Sequence, residues 1–505
     1  MLRRVRAIAV GAGLTVVCYG CATVEPRADY DRAGRFVANA TGQSEVYHPG
    51  DDALVQGKID DLMTDGLTSD EAVQVCLLNN PRLQVAFLDI GMARADVVQS
   101  GLLSNPSIGI STRFPSGDGL ANIDAGLAYN IAELWRIPFR KEAANRDLDR
   151  TIMELAQLAS ALALESKSAY YRSVAAADRY KITQENLSIA GNLLDLAKAR
   201  QQAGAGTELD VNLARSVMVE AELAVEASRL TASETRRALA TLLGLTTPEA
   251  ELSLVTPLPS EPPELPPSDR VLDVARQARL DIQAAHQVLL SAHARLEQEY
   301  RNVFRNVEVG IAMERAERKS QGGRDIYADT ARASIANGGL TAPGIQPRSE
   351  RKRHTDLIIG PSLSLDLPLF DQNQAQIARA EYLYEQAAKT LDALDRELTH
   401  EVAGAVDRSE TAWRLLKVFR ERSVPLAKSN LELSREAYRA GRASFLTVLE
   451  AQRFFLDTRG KYVGAAERAA VTIPELERTV GLTINELIQR SRPQTQPKPN
   501  EEVDP

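Results

Sequence analysis

The side chains able to do chemistry are few and dispersed. Five histidines (His48, His286, His293, His354 and His400) stand apart, with no pair at a four-residue spacing. The closest two, His286 and His293, would sit two turns apart on a helix, roughly 10 Å, too far to share one metal ion. No GxxxxGK[ST], HExxH or GxSxG string occurs. Phosphate-cradling, zinc-protease and serine-nucleophile chemistry therefore lack their parts, and neither an enzyme, a cofactor nor a metal site is expected. What the spacing does supply is turn chemistry. Gly204 and Gly441 suit the left-handed position that ends a helix. Thr207 and Ser444 suit the N-cap of the next helix, and Thr207 has Asp210 three residues on, as in a capping box.

The N-terminus offers thiol chemistry. Arg3, Arg4 and Arg6 precede the apolar run Ala7 to Val17, so residues 1–20 read as a secretory signal. Cys18-Tyr19-Gly20-Cys21 resembles a bacterial lipobox, with Cys18 where Leu is usual, and implies a lipid on Cys21. Plain signal cleavage, leaving Cys21 an incidental thiol, is the alternative. Ala22 after the cysteine goes with delivery to the outer membrane. Cys76 is then left without an intramolecular partner, and an exported chain of this size must be held by its core alone.

These residues need elements to position them. The 505 residues carry 60 Lys+Arg against 68 Asp+Glu, a net charge of −8, with 44% hydrophobic and 5% aromatic residues. That balance excludes a disordered chain and gives no sign of a nucleic-acid partner. No apolar run beyond the N-terminus reaches the roughly 18 residues of a spanning helix, so any membrane crossing must be made by strands.

The chain repeats itself. QAGAGTELDVNLARS (Gln202 to Ser216) aligns without gaps on RAGRASFLTVLEAQR (Arg439 to Arg453), and PRLQVAFLDI (Pro81 to Ile90) aligns on LDIQAAHQVL (Leu280 to Leu289). The two offsets differ by an insertion in the second copy, Arg315 to Asp356, rich in basic residues. That insertion is either a surface loop or folds into a lumen; it lies on anionic lipid or is simply solvated. The organisation expected is a signal peptide 1–20, an extended segment 21–67, a first repeat 68–250, a Pro-rich linker 251–268, a second repeat 269–487 and a disordered tail 488–505. Each repeat has a short helix and a longer one, two strands, a very long helix, a tight turn and a returning helix. The long helices run from about Phe139 to Ala203 and Phe370 to Ala440; the last returning helix ends at Pro474. Leu148, Ile152, Leu155, Ala159 and Leu162 follow the seam of a coiled coil.

The strands alternate strictly. Ile108, Ile110, Thr112 and Phe114; Ile123, Ala125, Leu127 and Tyr129; Val307, Val309, Ile311 and Met313; and Leu357, Ile359, Pro361, Leu363 and Leu365 each occupy one face. Gly, Ser, Asp, Asn and Glu fill much of the other. This is the pattern of a membrane strand with a lipid face and a lumen face, and equally of a half-buried soluble strand. Pro361 removes one ladder donor. Four strands cannot close a barrel, since about eight are needed, so a membrane reading requires an oligomer. Tyr129 and Phe114 are the candidates for an interfacial girdle.

With NNPRL (Asn79 to Leu83), PLFDQNQAQIARAE (Pro368 to Glu381) and YRAGRASFLTVLEAQ (Tyr438 to Gln452) in this order, the chain resembles the TolC family of outer-membrane efflux proteins, from about Thr68 to Leu487. PLFDQNQ and LWRIPFRKEA (Leu134 to Ala143) are similar to its heavy-metal branch. The resemblance implies a mainly α fold with a membrane β-barrel portion: a homotrimer whose twelve strands form one barrel, and whose helical hairpins form a periplasmic tunnel. It also implies docking to a periplasmic adaptor and an inner-membrane pump, with outer-membrane lipid around the barrel. In the family the turns form a periplasmic entrance closed by hydrogen bonds and carboxylate rings. Matched residue by residue, that implies Asp210 in the first turn, and Tyr438 and Glu450 in the second, beside the tip residues Gly204, Thr207, Gly441 and Ser444. Arg442 stands next to the usual arginine position, which holds Ala443, and Thr447 occupies a further carboxylate position. An exposed helix carboxylate is the alternative for Glu450. Leu280 also departs from the family, where the second copy often has Pro. A lipid-anchored coiled-coil scaffold or adaptor without a pore is the alternative of a different class.

Overall fold

The computed structural model describes residues 22–114, 116, 121–246, 252–317, 324–340 and 355–491. Cys21, the signal segment, the tail beyond Ser491 and much of the insertion lie outside the described residues. The elements are α1 (Arg27–Thr41), α2 (Asp52–Met63), α3 (Ser69–Asn79), α4 (Pro81–Gly101), β1 (Ser107–Arg113), β2 (Asn122–Asn130), α5 (Glu133–Gln202) and α6 (Glu208–Leu242). After the linker come α7 (Ser268–Ala278), α8 (Leu280–Arg301), β3 (Val307–Glu317), α9 (Arg324–Ala336), β4 (Thr355–Leu365), α10 (Gln374–Val418), a π-helical turn (Phe419–Ser423), α11 (Val424–Arg439), α12 (Phe445–Val480) and α13 (Ile484–Ser491). The order repeats as the sequence does. Among the described residues no helix is long and apolar enough to cross a membrane. The chain forms two compact units, one of Val98–Ala144 with Ala292–Tyr384, the other of the remaining residues.

The strand unit is one antiparallel sheet in the order β1-β2-β3-β4. Its register lines up the alternating faces. Ile110, Ala125, Met313 and Ile359 form one row, and Ile108, Leu127, Ile311 and Pro361 the next. Between them, on the opposite face, run Gly109, Gly126, Ala312 and Gly360. A slip of one residue in any pairing would mix the two faces. Among the described residues the apolar face is left open: Ile108 is 75% exposed and Leu363 73%. On the other face, Arg113 Nε donates to Asp124 Oδ2 at 3.1 Å. Pro361 costs the sheet no bond. Asp366 N donates to Asn306 O at 3.3 Å, so alternation makes the even-numbered residues of β4 bond β3 and turns the odd ones, Pro361 included, to the open edge. At the end of the sheet where β2 finishes and β3 begins, Leu102, Leu134, Trp135, Phe304, Leu369 and Phe370 are exposed. Phe114 is exposed at the opposite end. Asn373, at φ 66°, starts α10. Its Nδ2 donates to Glu299 O at 2.8 Å and its Oδ1 accepts from Arg305 Nη2 at 2.7 Å, which gives the PLFDQNQ string a joint-forming role.

The helical unit is built around α3, α4 and α7 packing on the long helices. Leu83, Phe87 and Ile90 of α4 are fully buried, each contributing about 1.5–3 kcal/mol. The asparagines of NNPRL cap the end of α6. Asn79 Nδ2 donates to Leu243 O at 3.0 Å and Gly244 O at 2.8 Å, and Asn80 Nδ2 to Leu242 O at 2.8 Å. Gly244 and Gly481 end α6 and α12 at positive φ, and a Cβ on either would press on the α3 or α7 terminus, 2.6 Å from Asn79 O in the first case. The duplication thus extends to the packing of its joints. In the second copy Val271, Ala275, Leu398, Val402, Leu476 and Val480 close a core. The linker is stitched down rather than free. Val255 N donates to Leu67 O at 3.0 Å, while the buried Tyr170 hydroxyl donates to Leu67 O and accepts from Thr256 N, both at 2.8 Å. The predicted seam residues Leu148, Ile152, Leu155, Ala159 and Leu162 are all buried.

Several expectations need correction. Residues 21–67 are not extended: α1 and α2 lie within them, and α1 is pinned by Asp29, which accepts from Arg94 Nε at 2.5 Å and Nη2 at 2.6 Å. The insertion contains α9, and α13 reaches Ser491, into the segment read as a disordered tail. The last returning helix runs through Pro474 to Val480, because Leu476 and Val480 are clamped in the core and hold the helix across one lost hydrogen bond; Gly481, at φ 81°, ends it. The second long helix runs unbroken from Gln374 to Arg439, as expected, but not with uniform winding. Pro425 has no N–H and crowds the preceding turn, which widens into the π-helical stretch Phe419–Ser423.

Cys76 packs between α3 and α6, its Sγ–H donating to Leu242 O at 3.6 Å. Burial pushes the thiol up to about 12, so it stays protonated, and a thiol is nucleophilic only as the thiolate. Maleimide at pH 8 should therefore label Cys76 only after denaturant is added. Labelling of the native protein at the rate of a free thiol would show that this contact opens.

Candidate functional site

The turn residues singled out by the sequence come together in the helical unit. α5 ends at Gln202, and its turn closes by Gly204 N to Gln201 O at 3.0 Å and Ala205 N to Arg200 O at 2.8 Å, with Gly204 at φ 69°. Thr207 then caps α6. Its Oγ1 accepts from Asp210 N and its N–H donates to Asp210 Oδ2, both at 3.2 Å. Asp210 is thus a capping residue whatever else it does, and a carboxylate in the first turn also suits the helix dipole. The second turn closes in the same way, by Gly441 N to Tyr438 O at 3.0 Å and Arg442 N to Ala437 O at 2.8 Å, with Gly441 at φ 73°. Ser444 Oγ accepts from Thr447 N at 3.4 Å. With Thr447 where the first copy has Asp210, this cap has no carboxylate to return the bond.

Tyr438 is the buried member. It is 2% exposed and packs with Leu193, Ala197, Val211, Ala214, Phe445 and Val448, its ring edge-on to Phe445 at 5.6 Å. Its hydroxyl finds no hydrogen-bond partner among the described residues. Burial, then the Asp210 carboxylate, push that hydroxyl upward from the ordinary tyrosine range, with Arg200 opposing. Arg442 and Glu450 are exposed and make no ion pair among the described residues. No side-chain bond joins Asp210, Tyr438, Arg442 and Glu450 to one another among the described residues.

The two turns are joined instead by Arg200, which the motif reading passed over. Its Nη1 donates to the Tyr438 carbonyl and its Nη2 to Ala205 O at 3.0 Å, and its guanidinium lies 4.5 Å from the centre of the Tyr438 ring. The sequence signal was available: a cation in the last turn of a helix is placed to meet carbonyls left open there. Further from the turns, Gln452 Nε2 donates to Asn186 Oδ1 at 2.7 Å and ties α12 to α5. Among the described residues no group of three or more His, Cys, Asp or Glu could hold a metal ion.

Comparison with known proteins adds the following. The family model described as outer membrane efflux protein matches residues 72–245 and 271–482. The pyoverdine export outer membrane protein OpmQ of Pseudomonas putida is 23% identical over 436 residues, covering 82% of this chain and 84% of that protein. The cobalt-zinc-cadmium resistance protein CzcC of Cupriavidus metallidurans is 22% identical over 422 residues, covering 82% and 90%. Among solved structures, the outer-membrane channel OprN superposes with a TM-score of 0.61 at 22% identity over 88% of this chain and 96% of that one. CusC superposes at 0.63 and 18% identity, over 82% and 92%.

Proposed function

The chain belongs to the outer membrane efflux protein family, and from that premise we propose that three copies form a passive exit duct, each giving four strands to one barrel and two helical hairpins to a tunnel in the periplasm. The observation that carries this is the sheet. Its register gathers exposed Ile, Leu and Val on one face and Gly, Ser, Asp and Glu on the other, with both edges open. Four strands fall short of the roughly eight of the smallest membrane barrel, and two copies leave little lumen, whereas three give a passage. The chain carries no nucleotide-binding string, so the driving energy enters through an inner-membrane pump and reaches the duct by way of a periplasmic adaptor. The two turns form the mouth, with Asp210, Tyr438, Arg442 and Glu450 around it, and Cys21 holds a lipid that anchors each copy. The pump chooses the cargo, small molecule or metal ion; the duct conducts it.

The test is extraction and reconstitution of the full-length protein. It should leave outer membranes only in detergent, run as a trimer and conduct ions across a planar bilayer. A monomer soluble without detergent once the acyl chains are removed would overturn the duct and favour the pore-free scaffold.

A further inference from the structure

The duplication isolates one residue whose presence its own turn does not explain. In the alignment of the two tips, Arg200 falls opposite Ala437. The second turn closes with the same pattern of backbone bonds using only alanine there: Arg442 N bonds Ala437 O as Ala205 N bonds Arg200 O, at 2.8 Å in both. Turn closure therefore needs no arginine. What Arg200 does that Ala437 does not is reach across. One guanidinium takes a carbonyl from each turn, Ala205 O and Tyr438 O, and lies on the Tyr438 ring. The Tyr438 carbonyl is also the acceptor for Gly441 N at 3.0 Å, so Arg200 grips the second turn at its own closing bond. The planar fork of arginine suits two acceptors at once, which an ammonium on a flexible stem does not match.

We infer that Arg200 is a latch that makes the two turns of each protomer move as one body and holds the mouth in its narrow state. This rests on the reading of the turns as the mouth of a duct. The hydrogen-bond acceptors are main-chain carbonyls, so the two bonds do not depend on the side chains of Ala205 or Tyr438, and only the ring contact does. The latch differs in kind from an exposed ion pair such as Arg453 with Glu220, 3.2 Å apart on the outside of α12 and α6, where solvent screening leaves little net attraction.

The experiment is single-channel recording of the full-length channel in planar bilayers, comparing wild type with Arg200→Ala, Arg200→Lys and Arg453→Ala. Arg200→Ala should shift the balance from narrow to wide conductance on the order of tenfold, the ratio that loss of a charge-assisted hydrogen bond gives. Arg200→Lys keeps the charge at the end of α5 but cannot hold both carbonyls, and should fall near Arg200→Ala; it carries the test should the alanine variant fail to reach the membrane. Arg453→Ala should match wild type. Pores of wild-type behaviour in Arg200→Lys, or an equal shift in Arg453→Ala, overturn the latch and leave the duct standing. A wild-type protein that forms no pore removes the duct itself.

Discussion

Replacing Gly310 by valine should abolish the channel while leaving secretion of the chain intact. Gly310 sits in β3 opposite Ala128 of β2 and Ser362 of β4. A Cβ there would collide with Leu127 O and stand 2.9 Å from Ser362 Oγ. The serine hydroxyl can rotate away, but the carbonyl of Leu127 belongs to the neighbouring strand and cannot. Overpacking usually costs about 1–3 kcal/mol because side chains give way. Here the backbone ladder itself must part, so the expected penalty lies above that range and falls on the sheet proposed to form the barrel. The contrast is built into the same face: Cβ atoms on Gly109 and Gly360 would meet nothing within 4 Å. Gly109→Ala and Gly360→Ala should therefore assemble normally, since each keeps the small inner surface. The measurement is the amount of detergent-extracted trimer and its conductance for all three variants. Wild-type yield from Gly310→Val would mean that β2 and β3 do not pair in this register.

The second large effect concerns α1. Asp29 is 4% exposed and takes two bonds from Arg94, while Arg32 approaches it at 3.7 Å and pairs with Asp149 at 2.8 Å. Removing either partner of the Asp29–Arg94 pair should release α1, and the two removals should differ. Arg94→Met leaves a buried carboxylate with only the more distant Arg32 as cation, so the loss approaches about 3–5 kcal/mol, that of a broken fully buried pair. Asp29→Ala strands a guanidinium that is 28% exposed, which water partly rescues, so its cost should be the smaller. Global unfolding is a poor ruler for a membrane oligomer, so local opening is the quantity to measure. Limited proteolysis of the connection between α1 and α2 should accelerate on the order of a hundredfold in Arg94→Met and clearly less in Asp29→Ala. Equal acceleration in both would show that the pair adds nothing beyond helix packing.

The parts of the fold that the sequence disclosed are those whose buried residues are large and periodic. Leu148 to Leu162 mark the α5 seam, and Ile108 to Leu365 mark the sheet face, because each uses bulky apolar side chains at the period of its element. α1 escaped for the opposite reason. It buries Ala33, Gly34, Val37, Ala40 and Thr41 together with a charged residue, Asp29, and so many small and polar side chains carry no apolar signal. Pro474 and Pro425 are both breakers on local grounds, yet neither ends its helix, and only the second changes the winding. Around Pro474 a packed core holds the helix, whereas Arg420 beside Pro425 is drawn out to Ser260 O at 2.7 Å. At the turns, motif spacing found the caps because capping is local, i to i+3. It passed over Arg200 because the bond to Tyr438 spans 238 residues of sequence, which no local pattern encodes.

Pro361 has a consequence for the life of the protomer before assembly. Between export and membrane insertion the sheet presents two unpaired edges and an uncovered apolar face to water, conditions that favour promiscuous strand addition. By placing its missing N–H on the outer edge of β4, Pro361 splits that edge into two short runs of donors, Thr355, Leu357 and Ile359 on one side and Leu363 with Leu365 on the other. A stray extended segment gains little from either run alone. In the proposed three-membered ring, a neighbouring copy would bring a whole β1 edge and bond both runs together, so a proline that costs the protomer's own sheet nothing disfavours stray strand addition more than assembly.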